Sequence, residues 1–243
     1  MARACVFVEW EDVPHLDPQL KKDILAGIPP WQRDSRTKGI PQLGPGAIYQ
    51  VPESEVSVDG FEIPKFWPRC FGMDVGWNRT AVVWAAIDRD TSTVYIYDEY
   101  YRGQAEPSVH AAAIKARGAW IPGAIDPASR GRMQTDGARL LEMYQDLGLD
   151  LTIAENAREA GIYKVWERLS QNTLKIFKSC TNTMHEYRIY RRDEKGQVVK
   201  KNDHLMDAMR YLIMTGLDYA KVEPKYKDGH PWFYYPIPLV WSD

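Results

Sequence analysis

Phe71-Gly72-Met73-Asp74-Val75-Gly76-Trp77 sets a lone carboxylate at the end of an apolar run and just before a glycine turn. Outward from it, Trp67–Val75 reads as a buried strand that ends at Asp74. After Gly76–Arg79, the run Ala81–Ile87 is a second apolar strand. Thr93–Tyr101, rich in β-branched and aromatic residues, is a third. The links between the three are short, which predicts an antiparallel three-stranded meander.

The pattern downstream alternates. Ser108–Arg117 is predicted helical, with Pro107 and Ser108 as start signals, and Ile121–Ile125 is a short strand stopping at Asp126. Gly137–Leu147 carries Leu140, Leu141, Tyr144 and Leu147 at helical spacing before Gly148. Leu151–Ala154 is strand, Ala160–Gln171 helix and Leu174–Phe177 strand. Asp203–Leu217 is an amphipathic helix with Leu205, Met209, Leu212, Ile213 and Leu217 on one side. A meander followed by α/β units predicts an α/β fold: a mixed sheet, antiparallel plus parallel, flanked by helices on both faces. Between Glu186 and Lys201, alternation on either side of a glycine-containing turn reads as a basic β-hairpin.

The chain divides into three by composition. Residues 1–64 are read as a linker or wrapping segment. It holds a short strand at Val6–Trp10, a helix at Gln19–Ala26, and a Pro- and Gly-rich stretch that excludes a long helix or a central strand. Residues 65–221 form the main domain. Residues 222–243, rich in Pro and aromatic side chains, form an extended tail.

Across 243 residues the net charge is −2, so a nucleic-acid partner requires basic residues gathered on one face. The apolar fraction of 44% argues against global disorder. Cys5, Cys70 and Cys180 form no CxxC pair, which speaks for reduced structural thiols rather than a zinc site. No run approaches the roughly 18 apolar residues needed to span a bilayer, and no signal peptide is evident. The expectation is a soluble cytosolic protein with no membrane partner.

Three aspartates stand out: Asp74 and Asp126 at strand ends, and Asp207 on the late helix. An acid at the edge of an apolar strand is costly unless paired or bound to a cation. Hydrolysis of a phosphodiester gives a reason to cluster them. Two Mg²⁺ or Mn²⁺ ions about 3.5–4 Å apart neutralise the attacking and leaving oxygens, and such hard cations need carboxylate oxygens. On the late helix Asp203 and Asp207 stand four apart, and His204 and Asp207 three apart, so either pair can share a face. Asp203 also reads as an N-cap, and His204 as a hydrogen-bond partner of a carboxylate. Asp207, on the inner flank between Leu205 and Met209, is the first choice of the three.

These residues resemble the ribonuclease H-like nuclease superfamily, in which a three-stranded meander carries one acid, the fourth strand a second and a late helix a third. More narrowly, Asp203-His204-Leu205-Met206-Asp207-Ala208-Met209-Arg210-Tyr211 is similar to the last motif of phage terminase large subunits. Met73-Asp74-Val75-Gly76 and Ala124-Ile125-Asp126-Pro127 are similar to the two earlier ones. Val13–Leu16 through Arg33–Gly39 is similar to the linker before this nuclease in headful-packaging phages. The resemblance covers most of residues 5–220. It implies a metal-dependent endonuclease cutting concatemeric double-stranded viral DNA during packaging, with Asp74, Asp126 and Asp207 as catalytic metal ligands and two ions, Mg²⁺ or Mn²⁺. Asp203 and His204 are further candidate ligands. It implies as partners an ATPase domain, a terminase small subunit and the phage portal, the last through the C-terminal tail, in the cytoplasm of the infected host. No GxxxxGK[ST] phosphate loop is present, so the expectation is a C-terminal fragment or separately expressed domain without ATPase activity.

The basic residues Arg188, Arg191, Arg192, Lys195, Lys200 and Lys201 adjoin the acidic helix and are expected to contact DNA phosphates without reading bases. Arg130 and Arg132, just after Asp126, are read the same way. Two alternatives stand beside this reading. One is a Holliday-junction resolvase or transposase of the same fold. The other is a catalytically silent module that binds DNA or portal.

Overall fold

The computed structural model describes Trp10, residues 17–26, Thr37, 46–127 and 136–224, with the backbone alone for 136–139. The strand expected at Val6–Trp10 lies almost wholly outside the described residues. So do Arg130, Arg132 and the tail beyond residue 224.

The meander forms as the residue pattern predicts. Strands β2 (Arg69–Asp74), β3 (Thr80–Asp88) and β4 (Thr93–Arg102) pair antiparallel, with β2 following a two-residue edge strand, β1 (Ser57–Val58). β3 is buried over most of its length because it is the central strand, covered on both faces. β5 (Gly123–Ile125), β6 (Leu151–Ile153) and β7 (Leu174–Phe177) add in parallel, giving one seven-stranded sheet in the order β1-β7-β4-β3-β2-β5-β6. The Pro-rich segment thus supplies an edge strand, and its Tyr49, Val51 and Val56 are buried in the main core.

The helices are α1 (Pro18–Ala26), α2 (Glu53–Val56), α3 (Pro107–Lys115), α4 (Asp136–Asp146), α5 (Arg158–Ser170), α6 (Thr181–Ile189) and α7 (His204–Met214). They sort by sheet face. Phe71, Met73, Val82 and Trp84 meet α3 and α4 through Ala111, Ile114 and Tyr144. Cys70, Ala81, Val83 and Ala85 meet α5, α6 and α7 through Val165, Tyr187, Leu205, Ala208, Met209 and Leu212. The two-residue alternation of β2 therefore turns Asp74 to the same face as Cys70 and Gly72, toward α7.

Helix α7 lies against β2 with no room to spare. A Cβ at Gly72 would stand 2.0 Å from the Ala208 carbonyl oxygen and 2.8 Å from the Leu212 nitrogen. The strand needs glycine there for the helix to approach. Residues Leu205 to Met214 contain strong helix formers and no Gly or Pro. The helix ends at Met214, ahead of a 3₁₀ turn at Gly216–Tyr219 rather than running on to Leu217.

One expected element is corrected. Glu186–Ile189 belong to α6, not to a hairpin strand. Thr183, Met184 and Tyr187 are buried at helical spacing, and the Tyr187 hydroxyl donates to the Val51 carbonyl at 2.8 Å. What remains of the hairpin is a tight turn closed by one bridge, Arg192 with Val198. The Asp193 carboxylate accepts from the backbone N–H groups of Lys195 and Gln197 and shapes that turn. The alternation seen in sequence came from a helix face followed by a turn.

Candidate metal centre

β2 and β5 run parallel with Met73 beside Ile125, so their next residues, Asp74 and Asp126, emerge side by side at one edge of the sheet. The Asp126 N–H donates to the Met73 carbonyl at 2.9 Å and extends the pairing one step past the strand. Asp126 follows Ala124 by two positions. Ala124 packs with Tyr211 of α7, so both acids meet the same helix.

That helix touches each acid. His204 Nδ1 lies 2.8 Å from Asp74 Oδ2, and the Tyr211 hydroxyl donates to Asp126 Oδ1 at 2.9 Å. His204 and Tyr211 are seven apart, two turns along one face, and Asp207 stands between them. The Asp207 carboxylate is turned to two guanidinium groups. Arg210 Nε and Nη2 donate to Oδ1 at 3.2 and 3.1 Å, and Arg158 Nη2 lies 3.6 Å from Oδ2. The same Arg158 nitrogen donates to Asp203 Oδ2 at 3.0 Å. Among the described residues, no three His, Cys, Asp or Glu side chains are yet gathered closely enough to hold an ion. The aspartates of α7 are held by arginines instead.

Asp203 occupies the N-cap position, yet its side chain makes no capping bond. The cap comes from another helix: Glu186 Oε2 accepts from the Leu205 N–H at 2.6 Å and the Met206 N–H at 3.3 Å. α6 is capped likewise, by Glu99 of β4, which accepts from the Asn182 and Thr183 N–H groups at 2.9 and 2.7 Å. Carboxylates suit these ends because the exposed amides carry partial positive charge. Through Glu99 and Glu186, strand β4 fixes α6, and α6 fixes the start of α7.

The electrostatics follow from this burial. Asp74, 14% exposed, is pushed up from 3.8 to about 6. Desolvation is the main cause, the bond from His204 opposes it, and the charges of Asp126 and Asp207 add to it. His204 is raised above 6.5, first by its bond to Asp74. Asp203 is also raised by burial and by Asp207, against the pull of Arg158. Four carboxylates thus crowd one edge of the sheet.

Of the basic residues singled out in the sequence, Arg188 is on α6 and bonded through Nε and Nη2 to Glu53, both at 2.6 Å. Arg192 is bound to both oxygens of Glu159 at 3.2 and 2.6 Å. Arg191, Lys195, Lys200 and Lys201 are exposed. Arg191, Arg192 and Lys195 line an open groove of about 620 Å³. Sequence reasoning missed Arg158, Glu186, Arg210 and Tyr211. The last two stand three and four residues after Asp207, a spacing that could have been used. Nothing in the sequence around Arg158 or Glu186 points to α7.

The large terminase subunits of Enterobacteria phage LP7 and Salmonella phage P22 are each 29% identical to this chain. The LP7 match spans 214 residues, 85% of this chain and 45% of that protein; the P22 match spans 211 residues, 84% and 42%. The chain therefore spans less than half the length of these relatives. The solved nuclease domain of the P22 large terminase superposes with a TM-score of 0.68 at 28% identity, over 74% of this chain and 96% of that one. The nuclease domain of the SPP1 large terminase, solved with bound Mn, shares the fold at a TM-score of 0.51 and 18% identity, over 66% and 96%. The family described as the terminase RNase H-like domain matches residues 71–215, from β2 through the end of α7. That stretch is more than half of the chain and carries Asp74, Asp126 and all of α7, and this protein belongs to the terminase RNase H-like domain family.

Proposed function

We propose that this domain is a divalent-metal-dependent endonuclease that cuts concatemeric double-stranded viral DNA during genome packaging. One observation carries the reading: Asp74 and Asp126 end adjacent parallel strands beneath a helix that touches both and carries Asp207 between its contacts. The donor set suits a hard cation, because it is rich in carboxylate oxygen and free of thiolate. Burial leaves Asp74 short of positive charge, which a cation would supply.

Asp74, Asp126 and Asp207 would hold Mg²⁺ or Mn²⁺, with His204 and Asp203 as the neighbouring candidates. Two such ions bound there would supply a hydroxide near neutral pH and would neutralise the attacking and leaving oxygens. The chain's own groups prepare that site. The Tyr211 hydroxyl orients the Asp126 carboxylate, and His204 Nδ1 orients that of Asp74. Arg158 and Arg210 neutralise Asp203 and Asp207 until a cation competes for the carboxylates or a phosphate for the guanidinium groups. Arg191, Lys195, Lys200 and Lys201 supply positive charge for the DNA backbone, since Arg188 and Arg192 are already paired with glutamates.

The ATPase domain, small subunit and portal are proposed as partners, in the host cytoplasm. Among the described residues no helix is long and apolar enough to cross a membrane. The test is plasmid cleavage in Mn²⁺ by the parent and by Asp74→Ala, Asp126→Ala and Asp207→Ala, each checked for folding. Cleavage by the parent and its loss in folded variants is expected. A folded parent with neither cleavage nor Mn²⁺-linked stabilisation would leave a silent binding module instead.

A further inference from the structure

The turn from β2 to β3 begins one residue after Asp74 and is held rigidly. The Thr80 hydroxyl donates to the Gly76 carbonyl at 3.2 Å, and the Gln104 N–H donates to the Trp77 carbonyl at 2.8 Å. A Cβ on Gly103 would stand 2.0 Å from the Asn78 carbonyl oxygen, so the turn and the end of β4 pack backbone against backbone. On this fixed support Trp77 is 65% exposed. Two-thirds of this residue's surface stays in water, so it adds little to the buried core.

Arg79, two residues on, lies over the ring of Tyr101 at 4.5 Å and has no carboxylate partner among the described residues. The Tyr101 ring centroid is 6.5 Å from that of His204, and His204 bonds Asp74. Contacts therefore run without a break from Arg79 to the acids. The other guanidinium groups at this cluster, Arg158 and Arg210, are occupied by Asp203 and Asp207. Arg79 is pre-oriented by stacking while its donor edges stay uncommitted to any acid, which suits a phosphate.

We propose that Trp77 and Arg79 form a ledge that seats the DNA strand at this site. Arg79 takes a backbone phosphate beside the one to be cut, and Trp77 packs on the adjoining nucleotide. The ledge flanks the acids on the β2–β3 side, and the basic turn at 191–201 flanks them where it leads into Asp203. The proposal rests on the nuclease reading and adds to it two residues outside the acid motifs.

The two contacts differ in their dependence on salt. A phosphate contact releases counterions, and losing one lowers the slope of log K against log salt by about 0.9 for duplex DNA. Stacking on a nucleotide changes affinity without changing that slope. Fluorescence anisotropy of a labelled duplex in EDTA, across a salt series, reads both. Arg79→Gln is expected to weaken binding by roughly 10-fold at low salt and to flatten the slope by about one contact. Arg79→Lys keeps the slope while losing part of the affinity. Trp77→Ala weakens binding by roughly 5- to 10-fold with the parental slope. Melting temperatures near the parent's show that folding is intact. If the parent cleaves plasmid in Mn²⁺ while Arg79→Gln and Trp77→Ala keep its affinity and slope, the ledge is wrong and the nuclease reading stands. If the parent neither binds duplex at any salt concentration nor cleaves plasmid in Mn²⁺, both fall.

Discussion

Replacing Asp74 with Asn should make the metal-free protein more stable at neutral pH. Asn keeps an oxygen to accept from His204 Nδ1 and removes the buried charge. Each tenfold change in proton affinity is worth about 1.4 kcal/mol, so moving the carboxyl from 3.8 to about 6 corresponds to about 3 kcal/mol. The folded-state value lies above the unfolded one, so Asp74's stabilising contribution is complete below about pH 4. It is lost as pH rises through about 6. Asp74→Asn should therefore exceed the parent by up to about 3 kcal/mol at pH 7.5, by about half that at pH 5, and by little at pH 4. For a domain of this size each kcal/mol moves Tm by about 2–4 °C, giving roughly 6–12 °C at pH 7.5. Thermal melts in EDTA across pH 4–8 measure this, and a Mn²⁺ series should raise the parent's Tm while leaving the variant's fixed. An Asn variant no more stable than the parent at pH 7.5, or a gap independent of pH, would refute the view of Asp74 as a buried charge awaiting a cation.

Three further outcomes are expected. Gly72→Ala should cost at least about 3 kcal/mol in urea denaturation, because its Cβ meets the backbone of α7, whereas Gly216→Ala, with nothing nearer than 3.4 Å, should cost far less. Glu186→Ala strands two buried N–H donors at the start of α7 and should cost roughly 2–4 kcal/mol, whereas Glu186→Gln, whose amide oxygen can still accept from both, should recover most of it, both read by urea denaturation. In DNA-binding titrations, Arg191→Ala with Lys195→Ala should flatten the salt slope by about two contacts, while Arg188→Ala, whose charge is held by Glu53, leaves it unchanged.

Two arginines offset part of the negative charge of the four acids at this edge. Arg158 spans Asp203 and Asp207, and Arg210 holds the second oxygen of Asp207. Asp74 faces a partly exposed histidine instead, and burial pushes its carboxyl up to about 6. A buried guanidinium beside Gly161, where a Cβ would stand 2.5 Å from Arg210 Cγ, shows α5 pressed onto this network. Drift of the helix that bears Arg158 would break its contacts to Asp203 and Asp207 and leave Asp207 to Arg210 alone.

The meander, the parallel strands and the late helix were legible in the sequence because each buries a face with its own period, two along β2 to β4 and 3.6 along α7. Asp74 and Asp126 stood out because a carboxylate ending an apolar strand breaks that pattern. The hairpin at 186–201 was misread because buried positions of a short helix, followed by a turn, imitate alternation over a few residues. Tertiary structure alone decided what each acid meets. Arg158 lies more than 40 positions from Asp203, and Glu186 caps a helix not its own, so neither contact leaves a local period or spacing to read. Parallel pairing brought Asp74 and Asp126 together across some 50 residues. Local sequence sets what each segment can become, and only packing across the sheet sets which charges must share one place.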